Sequence, residues 1–346
     1  MSKFSSSISS IGTIDGQEVF KYVISNGFLT VAFINYGATL ISCTCPDKNG
    51  VVEEITMNRT SLDDIIHKSD YFGATIGRNA FRIKHGEFSL GSDHYTLATN
   101  SGNNHNHGGV KGFDKCLWEG NVEEQSDRIS VVFSRESPDM EEGYPGRLHV
   151  KATYSLTAAN DLDMLFEASG NEKPTIVNMT NHAYWNLSGN CKRKVDNHQL
   201  QVDADFFLNG EDMIPDETPY PVNHTLMDFT TLRTLTPAIN EVDGGGRPGI
   251  DHAFCLRDYA KEGDAKRLRR VAVLEEEESG RRVEVGTTEC ALIVYTSNWV
   301  SEQPPFAPHY AICLEPGFYP DTPNHPSFPS STLLPHHTYT HHTVFS

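Results

Sequence analysis

The stretch Leu148-His149-Val150-Lys151-Ala152-Thr153-Tyr154-Ser155-Leu156-Thr157-Ala158-Ala159-Asn160-Asp161-Leu162-Asp163-Met164-Leu165-Phe166 alternates apolar and polar residues as far as Leu156, then resumes the alternation at Leu162, Met164 and Phe166. Successive side chains of an extended chain point to opposite faces, so a period of two sets one apolar face against a core and a polar face toward water. Ala159-Asn160-Asp161 between the halves supplies turn chemistry. The stretch therefore reads as an antiparallel hairpin buried on one face.

Working outward, similar strand signals occur at Leu29-Val31-Phe33, Ile129-Ser130-Val131-Val132-Phe133, Val283-Val285 and Leu292-Val294, with turn residues between them. Near the end, Thr338 to Phe345 alternates again, which predicts a terminal strand with its polar positions exposed and speaks against a metal site built from His336, His337, His341 and His342. Helical signals are few. Ser61 followed by Leu62-Asp63-Asp64-Ile65-Ile66 predicts one short helix with Ser61 as its N-cap. The acidic run Glu275-Glu276-Glu277-Glu278 before Ser279-Gly280 reads as a solvated hairpin tip. With no low-complexity linker and no internal repeat, residues 1–346 are expected to form a single all-β domain, one large antiparallel sandwich of two sheets whose loops carry the site. Residues 1–14 are read as a flexible N-terminal segment.

Composition narrows the function. The 346 residues carry 28 Lys and Arg against 46 Asp and Glu, and a net charge of −18 disfavours nucleic acid or an anionic membrane as partner. The seven cysteines are scattered, with only Cys43 and Cys45 close together, which suits free thiols in a reducing compartment better than a disulfide framework or a zinc site. The Ser-rich start has no apolar core of signal-peptide length, and no segment reaches 18 apolar residues, so a cytoplasmic location is expected.

Three polar clusters stand out: Asn104-His105-Asn106-His107-Gly108-Gly109, Thr180-Asn181-His182-Ala183-Tyr184-Trp185-Asn186 and Leu314-Glu315-Pro316-Gly317-Phe318-Tyr319-Pro320-Asp321. They offer imidazoles and a carboxylate, groups whose pKa values move close to neutrality with modest burial or a charged neighbour. None has the spacing of a local metal motif or a phosphate loop, so the chemistry is expected to be assembled across the fold. Glu315 is the leading catalytic candidate because a carboxylate emerging from the apolar run Ala311-Ile312-Cys313-Leu314 needs a charge partner or a function. His107 before two glycines and His182 beside polar neighbours are equally compatible with structural hydrogen bonding. Trp185, three residues after His182, is expected to lie beside the site, where an aromatic ring can present an apolar face to a ligand. The run Gly143-Tyr144-Pro145-Gly146 reads as a turn.

The segments Gly77-Arg78-Asn79-Ala80-Phe81-Arg82-Ile83, Asn106-His107-Gly108-Gly109 with Gly112-Phe113-Asp114-Lys115, Glu142-Gly143-Tyr144-Pro145-Gly146, Thr180-Asn181-His182, Gly249-Ile250-Asp251-His252 and Leu314-Glu315 with Pro320-Asp321 follow one another in an order that resembles the aldose 1-epimerase (galactose mutarotase) family. The resemblance runs from about residue 15 to the C-terminus. It implies a β-sandwich of the galactose mutarotase type and interconversion of the α and β anomers of free hexoses such as galactose and glucose, with no cofactor and no metal. By motif position it implies Glu315 as general base at the anomeric hydroxyl and His182 as general acid at the ring oxygen. It further implies His107 as a second histidine beside the reacting centre, and Arg82 and Asp251 as holders of sugar hydroxyls. The expected partner is a monosaccharide, and the chain is expected to be a monomer or homodimer.

Two departures from the family pattern stand near these residues. Phe81 takes the place of the commoner Asn before Arg82, while an amide stands at Asn79, on the same side of the chain if the segment is extended. Gly317 takes the place of a commoner Gln. Alternative readings are a hexose-6-phosphate 1-epimerase, for which Lys192-Arg193-Lys194 and Lys266-Arg267-Leu268-Arg269-Arg270 are the basic clusters to consider, and a glycoside hydrolase with Asp251 or Asp321 as second carboxylate. A non-catalytic sugar-binding homologue is the third.

Overall fold

A computed structural model of the chain describes residues 4–68, 70–259 and 266–346. The opening hairpin forms as read. Leu148–Thr157 pairs antiparallel with Leu162–Ser169, Ala152 opposite Phe166 and Tyr154 opposite Met164, with Leu148, Val150, Ala152, Tyr154 and Leu156 all buried. Ser155 departs from the alternation: it is buried, and its hydroxyl pairs with that of Ser130 on the neighbouring strand at 2.7 Å, which satisfies it in the core.

The hairpin sits in a nine-stranded sheet in the order Glu119–Glu124, Arg128–Ser137, Leu148–Thr157, Leu162–Ser169, Tyr339–Phe345, Arg281–Thr287, Arg269–Glu276, Gln199–Val202 and Arg233–Thr234. A six-stranded sheet runs Tyr184–Trp185, Ile312–Gly317, Ala291–Tyr295, Asp251–Leu256, Ala204–Leu208 and Tyr220–Pro221, and a five-stranded sheet takes the first five strands in sequence order. All pairings within these sheets are antiparallel. The expected all-β sandwich is present, its strands divided among three main sheets rather than only two. The nine-stranded sheet is their common wall: Phe33 of the five-stranded sheet packs on Tyr154 at 4.6 Å between ring centres, and Trp185 of the six-stranded sheet on Phe345 at 4.9 Å. No described helix is long and apolar enough to cross a membrane.

Several local expectations meet a definite outcome. Leu62–His67 is helical with Ser61 as N-cap, its hydroxyl accepting from Asp64 N–H. Ser5–Ile14, read as flexible, is instead an edge strand paired with Gln17–Ser25, because a backbone ladder needs no apolar side chains; residues 1–3 lie outside the described residues. The acidic run does lie at a hairpin end, but Glu276 is buried, accepting from Ser279 N–H and pairing with Arg193. The terminal strand Tyr339–Phe345 forms, yet His341 is fully buried, bonded to Met179 O and Thr343 Oγ1.

The Gly143–Gly146 run is also more than a turn. Tyr144 is buried and its hydroxyl donates to His105 Nε2 at 2.5 Å, while His105 Nδ1 donates to Ala98 O. His198 is held in the same way, its Nε2 accepting from Leu187 N–H at 3.0 Å. Burial lowers both histidines to about 4. The unfolded chain binds these protons near pH 6.5, so stability present above that pH is lost as pH falls toward 4, by roughly 2 kcal/mol per histidine at pH 5. Urea unfolding at pH 7 and pH 5 measures this, and His198→Gln is expected to reduce the difference.

Candidate active site

Strand parity in the six-stranded sheet builds the floor of the site. Glu315 lies opposite Ile293, which lies opposite Ala253, and the adjacent row is Cys313, Tyr295 and Asp251. Residues two apart share a face, so Cys313 and Glu315 look the same way while Leu314 goes to the core. Tyr184 and Trp185 obey the same rule. Tyr184 lines the cleft, whereas Trp185, expected there, faces inward and is 2% exposed against Phe345. Strand parity, not distance along the chain from His182, decides which ring reaches the cleft. The cleft tryptophan is Trp299, 46% exposed, on the polar loop after Ala291–Tyr295.

The cleft encloses about 450 Å³ and is lined by all five candidate residues, Arg82, His107, His182, Asp251 and Glu315. Asp251 is the first residue of its strand, and its carboxylate lies 3.4 Å from the Arg82 guanidinium. His182 follows Thr180–Asn181, a short strand paired with Thr75–Ile76, and its backbone is tied on both sides, to Ala74 O and to Gly73 N–H. Its ring is stacked between Tyr71 at 5.9 Å and Tyr184 at 4.9 Å, which fixes its plane. His182 Nε2 lies 3.7 Å from Glu315 Oε1, both residues less than 5% exposed, and Glu315 Oε2 has no hydrogen-bond partner. His107, at φ 50°, accepts the Phe81 N–H at its Nδ1. A neutral ring then carries its proton on Nε2.

Burial dominates the electrostatics. It lowers His182 to about 3 and pushes His107 well below the ordinary histidine range, where the neighbouring His182 and Arg82 add to the effect. Glu315 is driven well above the usual carboxylate range by burial and then by Asp251, with Arg82 opposing. A proton placed on the pair is therefore favoured on the carboxyl over the imidazole.

The two departures near Arg82 are spatially one feature. Phe81 has φ 70°, so the segment is not extended there; Asn79 is buried, donates to Ala80 O, and is absent from the cleft lining. No amide is relocated. The Phe81 ring lies over Gly317 instead, where an added methyl would stand 2.7 Å from the ring edge and 3.0 Å from Asn178 Oδ1. Gly317→Ala is therefore expected to cost about 1–3 kcal/mol by overpacking. In a Phe81→Ala background that cost is expected to shrink by about 1 kcal/mol, the coupling a double-mutant cycle of unfolding free energies would measure.

The basic clusters do not reach the cleft. Arg193 pairs with Glu276 and Glu278, Lys192 with Glu53, Lys266 with Glu289 and Arg270 with Glu284. Arg82 is the only cationic side chain among the described lining residues, which also include the carboxylates of Asp70, Asp212, Asp251 and Glu315. Asp321 is spent on structure, accepting from Lys84 N–H and contacting His325 at 3.0 Å.

Residues 21–346 match the sequence profile of the aldose 1-epimerase family. Among curated proteins, the galactose mutarotase of Homo sapiens is 35% identical over 337 residues, covering 95% of this chain and 94% of that protein. The aldose 1-epimerase of Escherichia coli (strain K12) is 34% identical over 312 residues, covering 88% and 87%. Among solved structures, the galactose 1-epimerase from Lactobacillus acidophilus NCFM superimposes with a TM-score of 0.86 at 27% identity, covering 99% of this chain and 98% of that one. An aldose epimerase homologue from C. elegans gives 0.81 at 27% identity, covering 92% and 95%.

Proposed function

The chain belongs to the aldose 1-epimerase family, and from that premise we propose that it interconverts the α and β anomers of free aldohexoses such as galactose and glucose, with Glu315 and His182 as the proton-transfer pair. The observation that carries the assignment of roles is the buried carboxylate and imidazole facing each other across 3.7 Å at the floor of a polar cleft.

Ring opening must remove the proton from O1 and deliver one to O5 while the bond from C1 to O5 breaks. Glu315 as carboxylate takes the first and His182 as imidazolium gives the second. The open aldehyde then stands beside a protonated Glu315 and a neutral His182, the arrangement that burial favours in the free protein. The site is thus matched to the open-chain stage more than to the bound ring, the sense in which differential binding lowers a barrier. After rotation about the bond from C1 to C2, His182 takes the O5 proton back, Glu315 returns one to O1, and the ring closes on the other face. The guanidinium of Arg82, which opposes the rise at Glu315, and the bound hydroxyls would favour the charged form at the start of the cycle. Nε2–H of His107 is suited to donate beside the reacting centre, and Arg82 with Asp251 to hold the remaining hydroxyls.

The lining argues against a phosphorylated sugar, because four carboxylates face one guanidinium already paired with Asp251. We take the chain to act as one domain, as a monomer or homodimer, in the cytoplasm, with neither nucleic acid nor membrane as partner. An apolar cluster shared by all three main sheets supports the first, seven free cysteines the location, and the net charge of −18 the last. The test is one-dimensional NMR of freshly dissolved α-galactose and α-glucose with catalytic amounts of protein: faster anomer equilibration is expected, and no acceleration with either sugar would overturn the reading.

A further inference from the structure

The strand that carries Glu315 presents a third ligating side chain to the same space. Cys313 stands two residues earlier on the same face, its sulfur 3.5 Å from His182 Nδ1, while Nε2 of that ring is 3.7 Å from Glu315 Oε1. One ligand atom each from His182, Cys313 and Glu315 lies within 4.8 Å of the other two, and no other such trio of His, Cys, Asp or Glu occurs among the described residues. A tetrahedral zinc ion, with bonds of about 2.0–2.3 Å, needs ligand atoms about 3.3–3.8 Å apart and takes one nitrogen of the ring, so the thiol and carboxylate, within 4.8 Å of it and of each other, would turn toward that nitrogen on binding. An imidazole, a thiolate and a carboxylate form a donor set that suits zinc and its borderline neighbours and not magnesium or calcium. A separate observation points the same way: Glu315 Oε2 is buried without a hydrogen-bond partner, so the carboxylate has an unused acceptor in the site. The cleft side leaves room for a water as fourth ligand.

We propose that His182, Cys313 and Glu315 form a binding site for a zinc-class divalent cation, whose occupation inhibits the enzyme by immobilising both members of the proton-transfer pair. The inhibitory consequence rests on the roles proposed above for His182 and Glu315; the binding does not. Entry of the metal displaces the protons of the thiol and the carboxyl, so cation and substrate compete for one space. Cys313 has no part in the proton transfers and enters only as a ligand.

The test uses the full chain, with Cys313→Ala and Cys313→Ser beside it. Zinc is titrated against anomer exchange in a non-chelating buffer, and cobalt is titrated against the optical spectrum. One cobalt per chain with a thiolate charge-transfer band is expected, displaced by zinc and by galactose, and absent in both variants. The zinc concentration for half-inhibition, taken relative to each protein's own rate, is expected to rise at least about tenfold on loss of the sulfur. Equal zinc sensitivity in all three proteins, or cobalt binding without a thiolate band, would overturn the site. A thiolate band with undiminished turnover under saturating zinc would overturn the inhibition and the roles of His182 and Glu315 with it. The band does not depend on turnover, so a protein that binds cobalt but never exchanges anomers faults the assigned reaction and leaves the metal site standing.

Discussion

Glu315→Gln is expected to slow anomer exchange by about 10³-fold, close to 4 kcal/mol of barrier, while the protein folds as before. The amide matches the carboxyl in shape but cannot take a proton from O1. Its effect on stability has a sign that a packing role would not give. Burial raises the Glu315 pKa, so the native state binds more protons than the unfolded chain above the ordinary carboxylate value, and stability falls as pH rises from 4.5 through the raised pKa. Glutamine has no such slope. The variant should therefore be as stable as wild type at pH 5 and equal or more stable at pH 8, the pattern of a residue kept for chemistry at a cost in stability. Anomer exchange by NMR and denaturant unfolding at the two pH values measure both parts. Near-wild-type turnover in the folded variant would remove Glu315 from its role.

The largest effect on stability is expected from a residue with no assigned role in the chemistry. Arg78 is 2% exposed and has no carboxylate within hydrogen-bonding reach; its guanidinium donates instead to Pro145 O at 2.8 Å, Gly146 O at 2.7 Å, Pro138 O at 3.0 Å and Ser137 Oγ at 2.5 Å. Burial lowers its pKa to about 10, still well above neutrality, so the side chain remains a cation solvated by backbone oxygens. Arg78→Met would orphan several buried carbonyls at once and is expected to cost about 3 kcal/mol or more. The loss should reach the cleft as well, since the clamped segment holds Tyr144 on His105, one residue from Asn106, which pairs with Arg82. A fall in unfolding free energy together with a raised KM for the sugar would support this, and an unfolding free energy within about 0.5 kcal/mol of wild type would refute it.

The motif around Arg78 was visible in the sequence, but its division of labour was not. Arg82 and Arg78 stand four residues apart, and only contacts made by residues 137–146 turn one into a clamp while the other reaches the cleft. The same applies to Phe81 and Gly317, separate oddities along the chain that are a single packed contact in space.

Local patterns were enough for the strands, because a period of two follows from how each residue is joined to the next: Leu148 to Phe166, Leu292-Val294, the Ser61 cap and the terminal strand needed no knowledge of their neighbours. The order of motifs named Arg82, His107, His182, Asp251 and Glu315, and the fold brings all five to the lining of one cleft. Register between strands distant in sequence decided the rest. It set Cys313 beside His182, turned Trp185 away from the cleft while Trp299 came to its edge, and divided the strands among three sheets. Those outcomes depend on which strand lies beside which, and a shift of one residue would send every side chain to the opposite face, so no local pattern contains them.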